Sequence, residues 1–136
     1  MVTAVDTNIF LDILAGDVPL KSSARNALIE TARQGPLTLS AVCYAELAGN
    51  FEGMAQLNIF LDELNVQVVD LDEPTAFLAG RFYKEYRLRG GTRTRILPDF
   101  LIAAHAQIHA DRLLTRDNRF FGESFPSLKA VTPEDI

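Results

Sequence analysis

Apolar positions along the chain follow two rhythms. Short runs at residues 2–5, 37–39, 66–69 and 112–115 are compact, rich in leucine, valine or threonine and bounded by polar or glycine residues, as buried strands are. Between them apolar residues recur at helical spacing: Ile9, Phe10, Ile13 and Leu14, then Ala24, Ala27, Leu28 and Ile29, then Tyr44 and Leu47. Leu57, Phe60, Leu61 and Leu64 continue the pattern, followed by Phe77, Leu78 and Phe82, and by a long stretch from Pro98 through Ala110. Asp6, Ser40 and Asp72 stand where side-chain oxygens cap helix starts, and Gly35-Pro36, Gly49 and Gly90-Gly91 stand where helices end. Gly16 and Pro19 predict a stop to the first helix, with the second over residues 22–33. Residues 129–131 add a last edge strand. Strands alternating with helices predict right-handed crossovers and an α/β fold, a three-layer sandwich with a parallel β-sheet flanked by helices.

Composition narrows the picture. A chain of 136 residues is expected to form a single domain over 1–136, and 48% apolar with 23% charged residues excludes a disordered or fibrous chain. There is no apolar run of the roughly 18 residues a membrane helix needs, and no basic segment leading into an apolar one, so the expectation is a cytoplasmic protein without a membrane partner. The lone Cys43 excludes an internal disulfide and a zinc site built from several thiolates. Thirteen basic against eighteen acidic residues give a net charge of −5, so any phosphate-bearing partner must meet a local basic patch.

In an open parallel sheet, ligands bind beyond the carboxyl ends of the strands. Asp6 ends the first strand, Glu46 lies in the helix after the second, Asp99 opens the helix before the fourth, and Asp117 follows the fourth, so all four can reach one edge. Singly, each reads as a helix cap or a solvated acid. Together they border apolar neighbours, among them Ile9, Val42, Leu47 and Phe100. Partly desolvated carboxylates about 4 Å apart repel by about 4 kcal/mol at an effective dielectric near 20, so such a cluster takes up protons or binds a cation. Oxygen ligands without cysteine favour Mg²⁺ or Mn²⁺, and the matching chemistry is phosphoryl transfer to water.

Four stretches carry a family resemblance that spans nearly the whole chain: Val5-Asp6-Thr7-Asn8-Ile9-Phe10, Ser40-Ala41-Val42-Cys43-Tyr44-Ala45-Glu46-Leu47, Leu97-Pro98-Asp99-Phe100-Leu101-Ile102-Ala103-Ala104-His105 and Leu113-Leu114-Thr115-Arg116-Asp117-Asn118. In order and spacing they resemble the acidic motifs of PIN-domain nucleases, and among those the VapC-like toxins of toxin–antitoxin pairs. The resemblance implies a PIN-like fold. It also implies an endoribonuclease using Mg²⁺ or Mn²⁺ and leaving 5′-phosphate and 3′-hydroxyl ends. Asp6 and Asp99 would be the main metal ligands, Glu46 would complete the acidic centre, and Asp117 would hold a second ion or orient water. Thr7, Asn8 and Thr115 occupy places where the family supports its acids. An RNA substrate, a small cognate antitoxin covering the cleft, a homodimer, and promoter DNA bound only through the antitoxin also follow from the resemblance.

Other residues leave alternatives open. Arg87, Arg89, Arg93 and Arg95 surround the Gly90-Gly91 pair and read as phosphate contacts, as antitoxin contacts or as a solvated loop. Arg112, Arg116 and Arg119 are further candidates for such contacts, and Arg116 reads alternatively as the ion-pair partner of its neighbour Asp117. His105 and His109, at i and i+4, form an incomplete zinc site and read as structural, although a metal-free ribonuclease could use them as acid and base. Phe120, Phe121 and Phe125 read as core or dimer surface, or as stacking platforms for bases. A phosphoacceptor receiver domain and an inactive RNA-binding PIN-like module are the remaining alternatives. The receiver is disfavoured because the first strand ends in a single acid and Lys129 stands at the start of the last strand.

Overall fold

The computed structural model describes residues 1–92 and 94–136. A five-stranded, all-parallel sheet runs in the order β3-β2-β1-β4-β5, with β1 Thr3–Val5, β2 Leu37–Ser40, β3 Val66–Val69, β4 Arg112–Leu114 and β5 Ala130–Val131. The central strand β1 is buried along its whole length, as strands covered on both faces are. Seven helices among the described residues flank the sheet, giving the expected parallel α/β sandwich. They are α1 Thr7–Ala15, α2 Val18–Gln34, α3 Ala41–Ala48, α4 Met54–Glu63, α5 Glu73–Leu88, α6 Leu97–His109 and α7 Asn118–Ser124, and a 3-10 turn at Pro133–Asp135 follows. Among the described residues no helix is long and apolar enough to cross a membrane.

Two local expectations are corrected. Helix α2 starts at Val18 rather than at Ser22, because the Asp17 carboxylate accepts from Leu20 N at 3.3 Å and Pro19 falls in the first turn. There the missing proline N–H has no intrahelical partner to lose. Helix α7 was not anticipated at all, since its seven residues are too few to display a period.

Helix α6 packs against β1, β2, β4 and α3, and pairs along its length with α5. Fully buried Phe100, in its first turn, is the hub of this contact. Its ring lies 5.1 Å from Tyr83, 5.2 Å from Tyr86, 5.9 Å from Phe120 and 5.8 Å from Phe125, at the tilted and edge-on angles aromatic rings prefer. Phe121 and Phe125 are buried and Phe120 is half-buried, so these rings join α5, α6 and α7 in the core.

Candidate active site

Strands β1 and β4 are parallel neighbours in register, Val5 beside Leu114, so the residues that follow them leave the sheet side by side. Asp6 N–H donates to the Leu114 carbonyl at 2.9 Å. The Asp6 side chain then caps α1, Oδ1 accepting from Thr7 N at 2.7 Å. Its Oδ2 accepts from the Thr115 hydroxyl at 2.7 Å and from Asn8 Nδ2 at 3.2 Å. Thr115 Oγ1 also accepts from Asp117 N at 3.0 Å, while Asn8 Oδ1 accepts from Arg116 N at 3.1 Å. The Thr7 hydroxyl donates to Glu46 Oε1 at 2.7 Å. Thr7, Asn8 and Thr115 thus stitch the turn after β1 to the turn after β4 and to α3, linking Asp6 through Thr7 to the Glu46 carboxylate and through Thr115 to the Asp117 backbone.

Asp6 is only 6% exposed, and burial raises its pKa to about 6. The hydrogen bonds from Thr115 and Thr7 pull it back, and the charges of Glu46 and Asp117 push it further up. This has a consequence for stability. Between pH about 4 and about 6 the unfolded chain has already released the Asp6 proton while the folded chain still holds it, so stability falls as pH rises through this window. The shift to about 6 corresponds to about 3 kcal/mol, complete above pH about 6. The difference in unfolding free energy between the wild-type chain and Asp6→Asn, measured by urea denaturation in chelator, should therefore grow from pH 4 to 6 in favour of the variant. A flat difference would show that burial does not penalise this charge.

The other expected site residues fall in different places. Glu46 is exposed, which corrects the expectation of a partly desolvated acid; its link to the site is the Thr7 hydroxyl. Asp99 is half-buried in the first turn of α6, and one of its oxygens, Oδ2, accepts from Ile96 N at 3.1 Å at the start of the helix. Asp117 is paired with Arg95, Nη1 to Oδ2 at 2.6 Å, and the Arg95 guanidinium lies 4.0 Å above the centre of the Phe120 ring. Arg116 was expected to be that partner. It turns away instead, to Asp12 on α1 at 2.8 Å and to Glu134 in the final turn at 2.7 Å. Nothing in the sequence signalled Arg95 on Phe120, since the two are 25 residues apart, Arg95 before α6 and Phe120 in α7. Arg87 and Arg89 are exposed, and Arg93 lies outside the described residues.

Among the described residues no group of three or more His, Cys, Asp or Glu side chains is arranged as a ready-made metal cage. The donor chemistry nevertheless fits a hard cation. Asp6 is a buried carboxylate with two further acids raising its pKa, and among the described residues no Lys or Arg pairs with it. Mg²⁺ needs only one or two carboxylates, the remaining positions being filled by water and substrate phosphate.

The histidines sit elsewhere. His105 is 1% exposed with Nε2 against the Asp70 carbonyl at 3.1 Å, and His109 Nε2 meets Asp72 Oδ2 at 2.5 Å, so both tie α6 to the start of α5. Burial lowers the His105 pKa, disfavouring the charged form an acid catalyst needs. Cys43 is buried in the core and its thiol is pushed up to about 12, which makes it inert at neutral pH.

Comparisons with known proteins agree with this architecture. The model of the PIN domain family matches residues 3–122. Ribonuclease VapC10 of Mycobacterium tuberculosis is 31% identical over 112 residues, 82% of this chain and 79% of that protein. Among solved structures, VapBC2 from Rickettsia felis bound to a DNA fragment from its promoter superposes with a TM-score of 0.76 at 24% identity, covering 97% of this chain and 98% of the other. A toxin–antitoxin complex from Klebsiella pneumoniae gives 0.69 at 25% identity, covering 96% and 97%. With its parallel sheet, and with the family's model and a 31% identical relative matching most of its length, the chain belongs to the PIN domain family.

Proposed function

We propose that the chain is a Mg²⁺- or Mn²⁺-dependent endoribonuclease, the toxin of a type II toxin–antitoxin pair, acting in the cytoplasm as one domain over residues 1–136. The observation that carries this reading is the buried Asp6 carboxylate, pressed by Glu46 and Asp117 and, among the described residues, without a cationic side chain paired to it. The relative named Ribonuclease VapC10 supports the choice of RNA, and the VapBC neighbour supports a cognate antitoxin. A homodimer, and promoter DNA bound only through the antitoxin, complete the proposal.

Asp6 and Asp99 would hold the cation, with Asp117 holding a second ion or orienting water. When bound, a divalent ion there supplies positive charge against the phosphodiester oxygens and lowers the pKa of nearby water. The chain's own residues do the positioning. Thr115 and Thr7 fix both oxygens of Asp6, and Thr7 also holds Glu46 at the mouth of the site, where an exposed carboxylate can accept a proton from attacking water.

The test is cleavage of a pool of cellular RNAs by the purified chain. Cutting with 5′-phosphate ends is expected in Mg²⁺ or Mn²⁺, lost in EDTA and restored by either ion. Cutting that persists in EDTA, or 2′,3′-cyclic phosphate ends, would reject the proposal.

A further inference from the structure

Beside the acids lies a cavity of about 270 Å³ lined by Tyr83, Arg87, Gly91, Thr92 and Arg95. It is built by packing rather than left by a slack loop. Gly90, at φ +78°, turns the chain back at the end of α5, and Gly91 N–H donates to the Tyr86 carbonyl at 2.9 Å. The Tyr86 hydroxyl accepts from Thr92 N at 2.9 Å and bonds Thr92 Oγ1 at 3.0 Å. A side chain at Gly91 would run into the Tyr86 ring. Both cations of the cavity are steadied by aromatic faces, Arg95 on Phe120 at 4.0 Å and Arg87 over Tyr83 at 5.7 Å.

Arg95 is the shared wall, because the guanidinium that lines the cavity also grips Asp117. One N–H of its fork is spent on that carboxylate, and among the described residues Arg87 has no carboxylate within ion-pair distance. On a chain of net charge −5, two guanidiniums steadied on aromatic rings give this cavity a local positive charge. Small-molecule sites span roughly 300–1,000 Å³, so this smaller space suits one unit of a polymer backbone better than a free cofactor.

We infer that this cavity binds a backbone phosphate of single-stranded RNA flanking the bond to be cut, with Arg87 and Arg95 as its charge partners and the Tyr83 ring against the adjoining nucleoside. This rests on the ribonuclease reading above. It favours RNA over an acidic protein segment because Arg95, in the cavity wall, is bonded to Asp117, and a tyrosine ring lines the cavity beside the two guanidiniums.

The test is anisotropy of a fluorescein-labelled single-stranded RNA with the full chain in EDTA, which blocks cutting, at several salt concentrations. Arg87→Ala should weaken binding about tenfold and reduce the slope of log affinity against log salt by about 0.7, the value of one single-strand phosphate contact. Arg87→Lys should restore the slope and only part of the affinity, because a point charge lacks the fork. Arg25→Ala on α2 should change neither. A neutral methylphosphonate moved along the RNA should reproduce the tenfold loss at one linkage other than the cut one, and add nothing in Arg87→Ala. Wild-type affinity and slope in Arg87→Ala, alongside chelator-sensitive cleavage by the wild-type chain, would overturn the subsite and leave the nuclease standing. So would displacement of RNA by a glutamate decapeptide from the wild type but not from Arg87→Ala, with KM for RNA unchanged. Absence of any RNA cleavage in Mg²⁺ or Mn²⁺ would remove the ribonuclease reading first and the subsite with it.

Discussion

Asp6→Asn is expected to abolish RNA cleavage, lowering kcat/KM by about 10³-fold or more, while leaving a folded and more stable chain. Several kcal/mol of charge stabilisation by a bound cation translate into that factor at about 1.4 kcal/mol per tenfold. Asparagine keeps the size of the side chain, and its Oδ1 can still accept from Thr7 N, so α1 keeps its cap. Its amide would face Thr115 Oγ1, which can turn to accept, and Asn8 Nδ2 loses an acceptor. Set against the removed buried charge, a net gain of about 1–2 kcal/mol above pH 6 remains. Initial rates on a labelled RNA together with urea melts measure both halves. A variant that cuts within tenfold of the wild type would take Asp6 out of the centre, whatever its stability.

Phe100→Ala should be the most damaging single change to the fold, destabilising it by about 3–5 kcal/mol, the usual range for removing a buried ring. The ring is fully buried and touches aromatic partners from α5 and α7, and none of them can collapse into the vacated space without leaving the others. The urea midpoint should fall at unchanged m-value. Because Phe100 adjoins Asp99 and packs against Phe120, which carries Arg95, the loss should also loosen the acid at the start of α6 and the Arg95–Asp117 pair. A loss under about 1 kcal/mol would mean that the cluster repacks and that the hub is no hub.

Much of the sheet was legible in the sequence because β1 and β2 are buried along their whole length and so must be short runs rich in apolar residues, while the edge strand β3, exposed over most of its length, was legible from its β-branched valines. Helix starts at Asp6, Ser40 and Asp72 were legible for the same local reason, a capping oxygen with its backbone donor close by. The contacts that shape the site are of another kind. Arg95 with Asp117, and Arg116 with Asp12 and Glu134, are choices between several carboxylates at similar reach, decided by which ring or turn lies beneath the guanidinium. Adjacency in sequence favoured Arg116 for Asp117, but residues next to each other at a strand end point in different directions. Glu46 misled for a related reason. Its flanking Ala45 and Leu47 suggested burial, yet successive helical residues point about 100° apart, so Leu47 packs inward while Glu46 faces water.

The order in which the sheet can assemble follows from the position of β1 between β2 and β4. The central strand precedes both neighbours in synthesis, and the one that brings Thr115 and Asp117 to Asp6 follows β2, β3 and the helices α1 to α6. A nascent chain on the ribosome therefore carries the first acid for most of its growth with nothing to set beside it. On the proposed function, cleavage would be deferred until β4 has emerged, and a partially made copy would spare the RNA that encodes it.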